Sequence, residues 1–114
     1  MSGISTHVLD NAIGRPADDV PVRLERQDSG GEWRLLTSSR TDKDGRCGHL
    51  LPDNEALTPG LYRLTFDTAA YYSSRGTQGF YPLVQITFCA REGETRFHIP
   101  LLLSPYGYTT YRGS

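Results

Sequence analysis

Clusters of turn-forming residues divide this 114-residue chain into many short pieces. Gly, Pro, Asp, Asn and Ser gather at 28–31, 42–45, 52–54, 59–60 and 104–107, and a glycine closes a further turn signal at 91–93. Short pieces between recurrent turns are typical of an all-β sandwich or barrel. We interpret 42–45 as the turn of a hairpin and not as a calcium loop, because its glycine comes too early for an EF-hand.

Apolar and polar side chains alternate between these turns, as they do in strands that bury one face. The apolar members are Val22 and Leu24; Tyr62, Leu64 and Phe66; and Val84, Ile86 and Phe88. Residues 67–76 differ, because an Asp or Thr cap, two alanines and a closing glycine favour a short helix. The patterns predict one β-domain, residues 1–114, with a short helix.

Two strand-like runs turn a histidine away from their apolar face. The core-facing residues of the run 96–103 are Phe97, Ile99, Leu101 and Leu103. His98 and Leu102 then point outward together, and His7 points outward in the N-terminal run 4–9. A histidine beside a leucine on an outer face suggests that a partner subunit covers this face.

The charge distribution excludes some classes of partner. Twelve basic and thirteen acidic side chains give a net charge of -1 without blocks of one sign, so we expect no nucleic acid or membrane partner. The longest apolar run, 99–103, is too short to span a bilayer, and the first residues resemble no secretory signal. We expect a cytoplasmic protein, with Cys47 and Cys89 as free thiols in preference to a disulfide.

Local motifs for catalysis or metal binding are absent from the sequence. The three histidines, His7, His49 and His98, lack the close spacing of zinc ligands, and no serine lies in a G-x-S-x-G context. Taken singly, His7 and His98 are more typical of structural histidines, and Arg46 of a solvated arginine.

Three longer motifs occur in order along the chain. They are Ser5-Thr6-His7-Val8-Leu9-Asp10 with Gly14-Arg15-Pro16-Ala17; Asp44-Gly45-Arg46-Cys47; and the segment 98–108 followed by Tyr111-Arg112-Gly113-Ser114. Together they resemble the transthyretin-related family over nearly the whole chain. Members of this family either carry hormones or hydrolyse 5-hydroxyisourate. The hydrolases are marked by both histidines, the arginine and the Tyr-Arg-Gly-Ser ending, and this chain has all four features.

The resemblance implies a fold and an assembly. It implies an all-β, eight-stranded sandwich of two four-stranded sheets with one short helix. It also implies a homotetramer, a dimer of dimers, with active sites at the dimer–dimer interface. Fold analogy alone does not assign a function, but the matching residues favour the hydrolase.

The resemblance also implies roles for individual residues. His7 and His98 become the acid–base pair, Arg46 a planar donor to a substrate oxygen, and Ser114 a group that positions substrate or water. Tyr111 and Arg112 would shape the pocket and bind substrate, and no metal or organic cofactor is needed. A non-catalytic carrier of small aromatic ligands and an immunoglobulin-type interaction module remain the alternatives.

Overall fold

Two antiparallel-rich sheets enclose the core in the computed structural model, which describes residues 3–114. In chain order the elements are β1 (Gly3–Asp10), β2 (Arg15–Pro16), β3 (Pro21–Gln27), β4 (Trp33–Arg40), β5 (Arg46–Cys47), β6 (Gly60–Phe66), α1 (Thr68–Ser74), β7 (Val84–Ala90), β8 (Arg96–Ser104) and β9 (Gly107–Thr110). One sheet has the order β2-β1-β8-β9, with β5 also paired to β1, and the other has the order β4-β3-β6-β7.

The β-sandwich with one short helix that the sequence predicted is confirmed. The sheets hold five and four strands where four and four were expected. The additional pairing comes from β2 and β5, which have two residues each and both pair with β1. Runs of two residues are too short to show an alternation, so the sequence did not predict them.

The core lies between the sheets and is built by the alternation. On β8 the apolar side chains of Phe97, Ile99, Leu101 and Leu103 are buried, while His98 and Leu102 are half-buried on the other face. Each fully buried aliphatic or aromatic side chain stabilises the fold by about 1.5–3 kcal/mol. Pro100 departs from the pattern, since it lies on the outer face and is buried as well.

The N-terminal strand follows the same rule and turns His7 outward. Every second residue of β1 is buried, and the residues between them are half-buried. The four buried residues are Ile4, Thr6, Val8 and Asp10. The outward histidines predicted from the alternation on β1 and β8 are therefore confirmed.

The predicted helix is also confirmed, and its N-terminus is capped as expected. The Asp67 carboxylate accepts a hydrogen bond of 3.0 Å from the backbone N–H of Ala70, which satisfies one of the free donors of the first turn. Gly76, with φ of 66°, follows the helix in the left-handed region that glycine tolerates.

The turn at 42–45 is confirmed, but its interpretation as a hairpin is wrong. Asp42 accepts from the Gly45 N–H at 2.9 Å, as a turn requires. The strands on either side, β4 and β5, belong to different sheets, so the turn carries the chain across the sandwich. Within residues 3–114, Cys47 and Cys89 are free thiols and no helix is long and apolar enough to cross a bilayer.

Candidate active site

Three strands of the five-stranded sheet bring the predicted site residues together. In the register of β1 with β5, His7 lies directly opposite Arg46. In the parallel register of β1 with β8, Ser5 lies opposite His98. Residues paired in this way present their side chains on the same face of the sheet, so the outer face gathers both histidines and the arginine.

The turn before β5 fixes the position of Arg46. The Asp42 carboxylate accepts two hydrogen bonds of 2.9 Å, from the backbone N–H groups of Asp44 and Arg46. Gly45 has φ of 76°, and a side chain there would run into the Val8 carbonyl of the neighbouring strand. Only glycine allows this close approach, so Arg46 enters the sheet at a fixed place.

The same turn fixes the ring of His7. The Nε2 atom of His7 lies 2.9 Å from the backbone carbonyl oxygen of Asp44. A carbonyl oxygen only accepts hydrogen bonds, so Nε2 carries a proton and donates it. In the neutral ring, Nδ1 is then the nitrogen with a free lone pair.

A cavity of about 520 Å³ opens over this face. The predicted site residues that line it are Arg46, His98, Arg112 and Ser114. It is also lined by Ser5, Gly113 and His49. His7 does not line this cavity, but it lies beside Arg46 on the adjacent strand.

Among the residues that line the cavity, His98 has a pKa that its surroundings lower. Burial lowers the pKa of the His98 imidazole below its ordinary value of 6.5, and the nearby His7 and Arg46 lower it further. Each effect disfavours a positive charge on the ring. At neutral pH the imidazole is therefore uncharged and able to accept a proton.

The tail after β9 returns to the site and is anchored there. The backbone N–H of Gly113 donates to the carbonyl oxygen of His98 at 2.8 Å. The guanidinium of Arg112 donates to the Glu94 carboxylate at 2.9 Å and stands over the ring of Phe97, 5.0 Å from its centre. This hydrogen bond from Arg112 is the main cause that lowers the pKa of Glu94.

Tyr111 is placed apart from the other predicted site residues. It lines a second, mainly apolar cavity of about 260 Å³ that shares Phe97, His98 and Arg112 with the first. Its side chain is exposed. The structure therefore brings Tyr111 to the back of His98 and not to the cavity that holds Arg46 and Ser114.

Sequence reasoning missed two residues that contact His98. Ser5 Oγ lies 2.8 Å from Nδ1 of the imidazole, and Gly113 packs against the same ring. Ser5 shares the outer face of β1 with His7, so the alternation pointed to it, but no pattern linked it to a residue 93 positions away. Among residues 3–114, no group of three or more His, Cys, Asp or Glu side chains is arranged to hold a metal ion.

Comparison with known proteins gives consistent matches over nearly the full length. Residues 4–113 match the model of the HIUase/Transthyretin family. A curated relative, the 5-hydroxyisourate hydrolase of Mus musculus, is 46% identical over an alignment of 114 positions that covers 99% of this chain and 96% of the mouse protein.

Solved structures of both kinds of family member resemble this fold. The 5-hydroxyisourate hydrolase of Klebsiella pneumoniae has a TM-score of 0.85 and 37% identity, and the match covers all of both chains. The transthyretin of Sparus aurata has a TM-score of 0.91 and 30% identity, covering 99% of this chain and 97% of that one. The backbone is thus slightly nearer to the transthyretin and the sequence nearer to the hydrolase, so the site residues have to discriminate.

Proposed function

The chain belongs to the HIUase/Transthyretin family, and on that premise we propose that it hydrolyses 5-hydroxyisourate in urate catabolism. The reaction opens the six-membered ring of the substrate at a cyclic amide and gives 2-oxo-4-hydroxy-4-carboxy-5-ureidoimidazoline. The chain is thus a hydrolase that acts on a C–N bond. The observation that carries the proposal is the neutral His98 imidazole, which lines the same cavity as the Arg46 guanidinium.

His98 acts as the base that activates water. Its lowered pKa keeps the ring neutral. With Nδ1–H donating to the Ser5 hydroxyl oxygen, Nε2 holds the free lone pair that accepts the proton. As the O–H bond of water breaks, the hydroxide forms a bond to the carbonyl carbon of the amide. A positioned base of this kind contributes about 10² to 10⁴-fold to the rate.

Arg46 stabilises the oxyanion that forms on the carbonyl oxygen. Its guanidinium is always charged, is planar and is exposed to the cavity. Charge that develops in the transition state is stabilised more than the neutral ground state, which is the requirement for catalysis. The same charge helps to keep His98 neutral before the reaction.

His7 and Ser114 complete the reaction. His7 in its doubly protonated form is the acid: Nδ1–H gives its proton to the ring nitrogen as the C–N bond breaks, while Nε2–H stays bonded to the Asp44 carbonyl and holds the ring in place. Ser114 lines the cavity and positions substrate or water through its hydroxyl. A nucleophilic role for Ser114 is disfavoured, because the structure gives it no hydrogen bond to a base within the described chain.

Arg112 and Tyr111 shape the walls of the substrate site. The Arg112 guanidinium is paired with Glu94 and stacked over Phe97, so it anchors the tail that carries Ser114. Tyr111 extends the site on the far side of His98. Both residues stay predicted substrate contacts. Arg112 lines the cavity of Arg46, whereas Tyr111 lines only the second cavity.

The active form is a homotetramer in which a neighbouring subunit covers the outer face. The half-buried Leu102 beside His98 supports cover of this face. A contiguous exposed cluster, which soluble monomers rarely show, supports association more generally: Phe80, Tyr81 and Tyr108 pack edge to face. Sedimentation analysis tests the tetramer. A cytoplasmic location, which suits the free thiols, is tested by cell fractionation.

The direct experiment measures turnover of freshly generated 5-hydroxyisourate through the decay of its ultraviolet absorbance, compared with the spontaneous rate. We expect clear acceleration by the wild type, and kcat lowered about 10² to 10⁴-fold in His98→Ala and in His7→Ala. The variants should keep the circular dichroism spectrum and sedimentation coefficient of the wild type. A folded double variant with wild-type turnover would refute the mechanism.

A carrier of small aromatic ligands is the second candidate. It is favoured by one observation, the TM-scores of 0.91 to the transthyretin of Sparus aurata and 0.90 to sea bream transthyretin in complex with thyroxine. Binding of an aromatic ligand by calorimetry, without any acceleration of 5-hydroxyisourate decay, would move the assignment to the carrier.

A further inference from the structure

The imidazole of His98 is contacted on two sides by residues that have no assigned role. On one side the Ser5 hydroxyl oxygen lies 2.8 Å from Nδ1. The contact is built into the sheet, because Ser5 and His98 are directly paired on the parallel strands β1 and β8. Both side chains are half-buried, so water competes only in part for this hydrogen bond.

On the other side Gly113 packs against the ring. A Cβ atom at position 113 would lie 2.5 Å from Cδ2 of His98, which is closer than real side chains approach, and a tight 3.3 Å from Cγ. Gly113 does not have a positive φ, so its backbone conformation suits alanine and space is the only obstacle. The 2.8 Å hydrogen bond from Gly113 N–H to the His98 carbonyl holds the two residues together.

A hydroxyl is well matched to a histidine that changes charge. For Nε2 to accept a proton, the neutral ring carries its own proton on Nδ1, and the Ser5 hydroxyl oxygen accepts that hydrogen bond before and after Nε2 is protonated. A carboxylate at this place would favour the charged ring and raise the pKa. The other charged or titratable groups around the cavity are His7 on β1, Arg46 on β5, His49 after β5, Arg96 on β8 and Arg112 in the tail.

We propose that Ser5 and Gly113 are positioning residues of the hydrolase site, which together fix the plane of the His98 ring and aim its Nε2 into the cavity. The Ser5 hydroxyl oxygen accepts from Nδ1–H in both protonation states of the ring, and Gly113 leaves only enough space for the imidazole. The inference deepens the proposed function and rests on it.

The first experiment separates orientation from substrate binding at Ser5. In Ser5→Ala we expect kcat to fall about 10 to 100-fold, since a misplaced catalytic group costs up to about 10²-fold. KM should change by less than about threefold, because a group that acts only in the transition state leaves ground-state binding unaltered. Ser5→Thr should restore most of kcat, because it keeps the hydroxyl and suits a strand. The matched control is Ser38→Ala, an exposed serine on β4 in the other sheet, which should retain wild-type kinetics.

The second experiment tests the space beside the ring. Gly113→Ala should lower kcat to a similar extent as Ser5→Ala, and the double variant should lose less than the product of the two effects, because both displace one group. Gly30→Ala is the control: it lies in the β3–β4 turn, and its nearest contact to a new Cβ is 3.5 Å. Wild-type kcat in Gly113→Ala would overturn the role of Gly113.

A third measurement does not depend on activity. Nitrogen-15 NMR of the His98 ring reports its tautomer and pKa, and Ser5→Ala should change both while Ser38→Ala changes neither. If the wild type fails to hydrolyse 5-hydroxyisourate, the proposed function fails, and the NMR result still decides whether Ser5 controls the ring. If the wild type is active and Ser5→Ala keeps its kcat and ring resonances, the inference on Ser5 is overturned. Failure of Ser5→Thr to restore kcat would also overturn it.

Discussion

Two adjacent tyrosines at the helix allow one hydrogen bond to be tested against a matched neighbour. The Tyr71 hydroxyl donates to Oδ2 of Asp10 at 2.7 Å, and Asp10 is only 4% exposed. The other oxygen of the carboxylate accepts from the Ala12 N–H at 3.0 Å. Burial and, next, the contact with Asp10 raise the pKa of Tyr71, so the hydroxyl stays protonated and able to donate.

Replacement of Tyr71 by Phe removes this donor and leaves Oδ2 buried without its partner. A hydrogen bond to a charged group contributes about 1.5–3 kcal/mol, and the orphaned carboxylate oxygen puts the expected loss of unfolding free energy in that range. For a domain of this size the melting temperature should fall by roughly 5–15 °C. The loss matters for the site, because Asp10 ends the strand β1 that carries Ser5 and His7.

Tyr72 provides the control, because the same change one residue away should have a different result. Its hydroxyl is buried and has no hydrogen-bond partner within residues 3–114. Burial and the charge of Asp10 raise the pKa of Tyr72 to about 12. Removal of an unpaired buried hydroxyl is nearly neutral or stabilising, so Tyr72→Phe should change stability by less than about 0.5 kcal/mol or increase it.

The assay is urea unfolding followed by circular dichroism at one fixed protein concentration, since assembly also contributes to stability. Equal m-values in the three proteins would show that the variants unfold in the same way. Equal losses in Tyr71→Phe and Tyr72→Phe, or a loss below about 0.5 kcal/mol in Tyr71→Phe, would refute the reasoning.

Three further predictions concern the site. Arg46→Ala should lower kcat about 10²- to 10³-fold through loss of oxyanion stabilisation. Because Arg46 helps to lower the pKa of His98, its removal raises that pKa, and the acid limb of the kcat/KM profile should move to higher pH; an unmoved limb would contradict the coupling. His7 also helps to lower the pKa of His98. The residual activity of His7→Gln should therefore show its acid limb of kcat/KM at higher pH. Removal of residues 112–114 should lower kcat while the circular dichroism spectrum of the β-sheets is retained. Glu94→Gln, which removes the ion pair to Arg112, should lower kcat less than the deletion does. An unaltered kcat in the deletion variant would mean that the tail serves packing alone.

Much of the fold followed from local patterns in the sequence. The alternation on β1, β6 and β8 predicted which faces are buried, because a strand sends successive side chains to opposite sides. The Asp67 cap and the glycine at 76 predicted α1. The motifs around His7, Arg46 and His98 predicted the family.

Other features were beyond the reach of local patterns. The turn at 42–45 looked like a hairpin, yet the strands it joins lie in different sheets. Tyr111 belongs to the motif at the end of the chain, but its side chain lines a different cavity from Ser114. Chain proximity does not determine which cavity a side chain enters.

The sequence by itself determined that His7 and His98 face outward, because alternation fixes the face on which a side chain lies. Only the tertiary structure decided which residues meet on that face. The parallel pairing of β1 with β8 joins Ser5 to His98 across 93 positions, and β5 inserts Arg46 beside His7. Strand neighbours are selected by long-range packing of the whole core, and no local pattern of side chains encodes that choice.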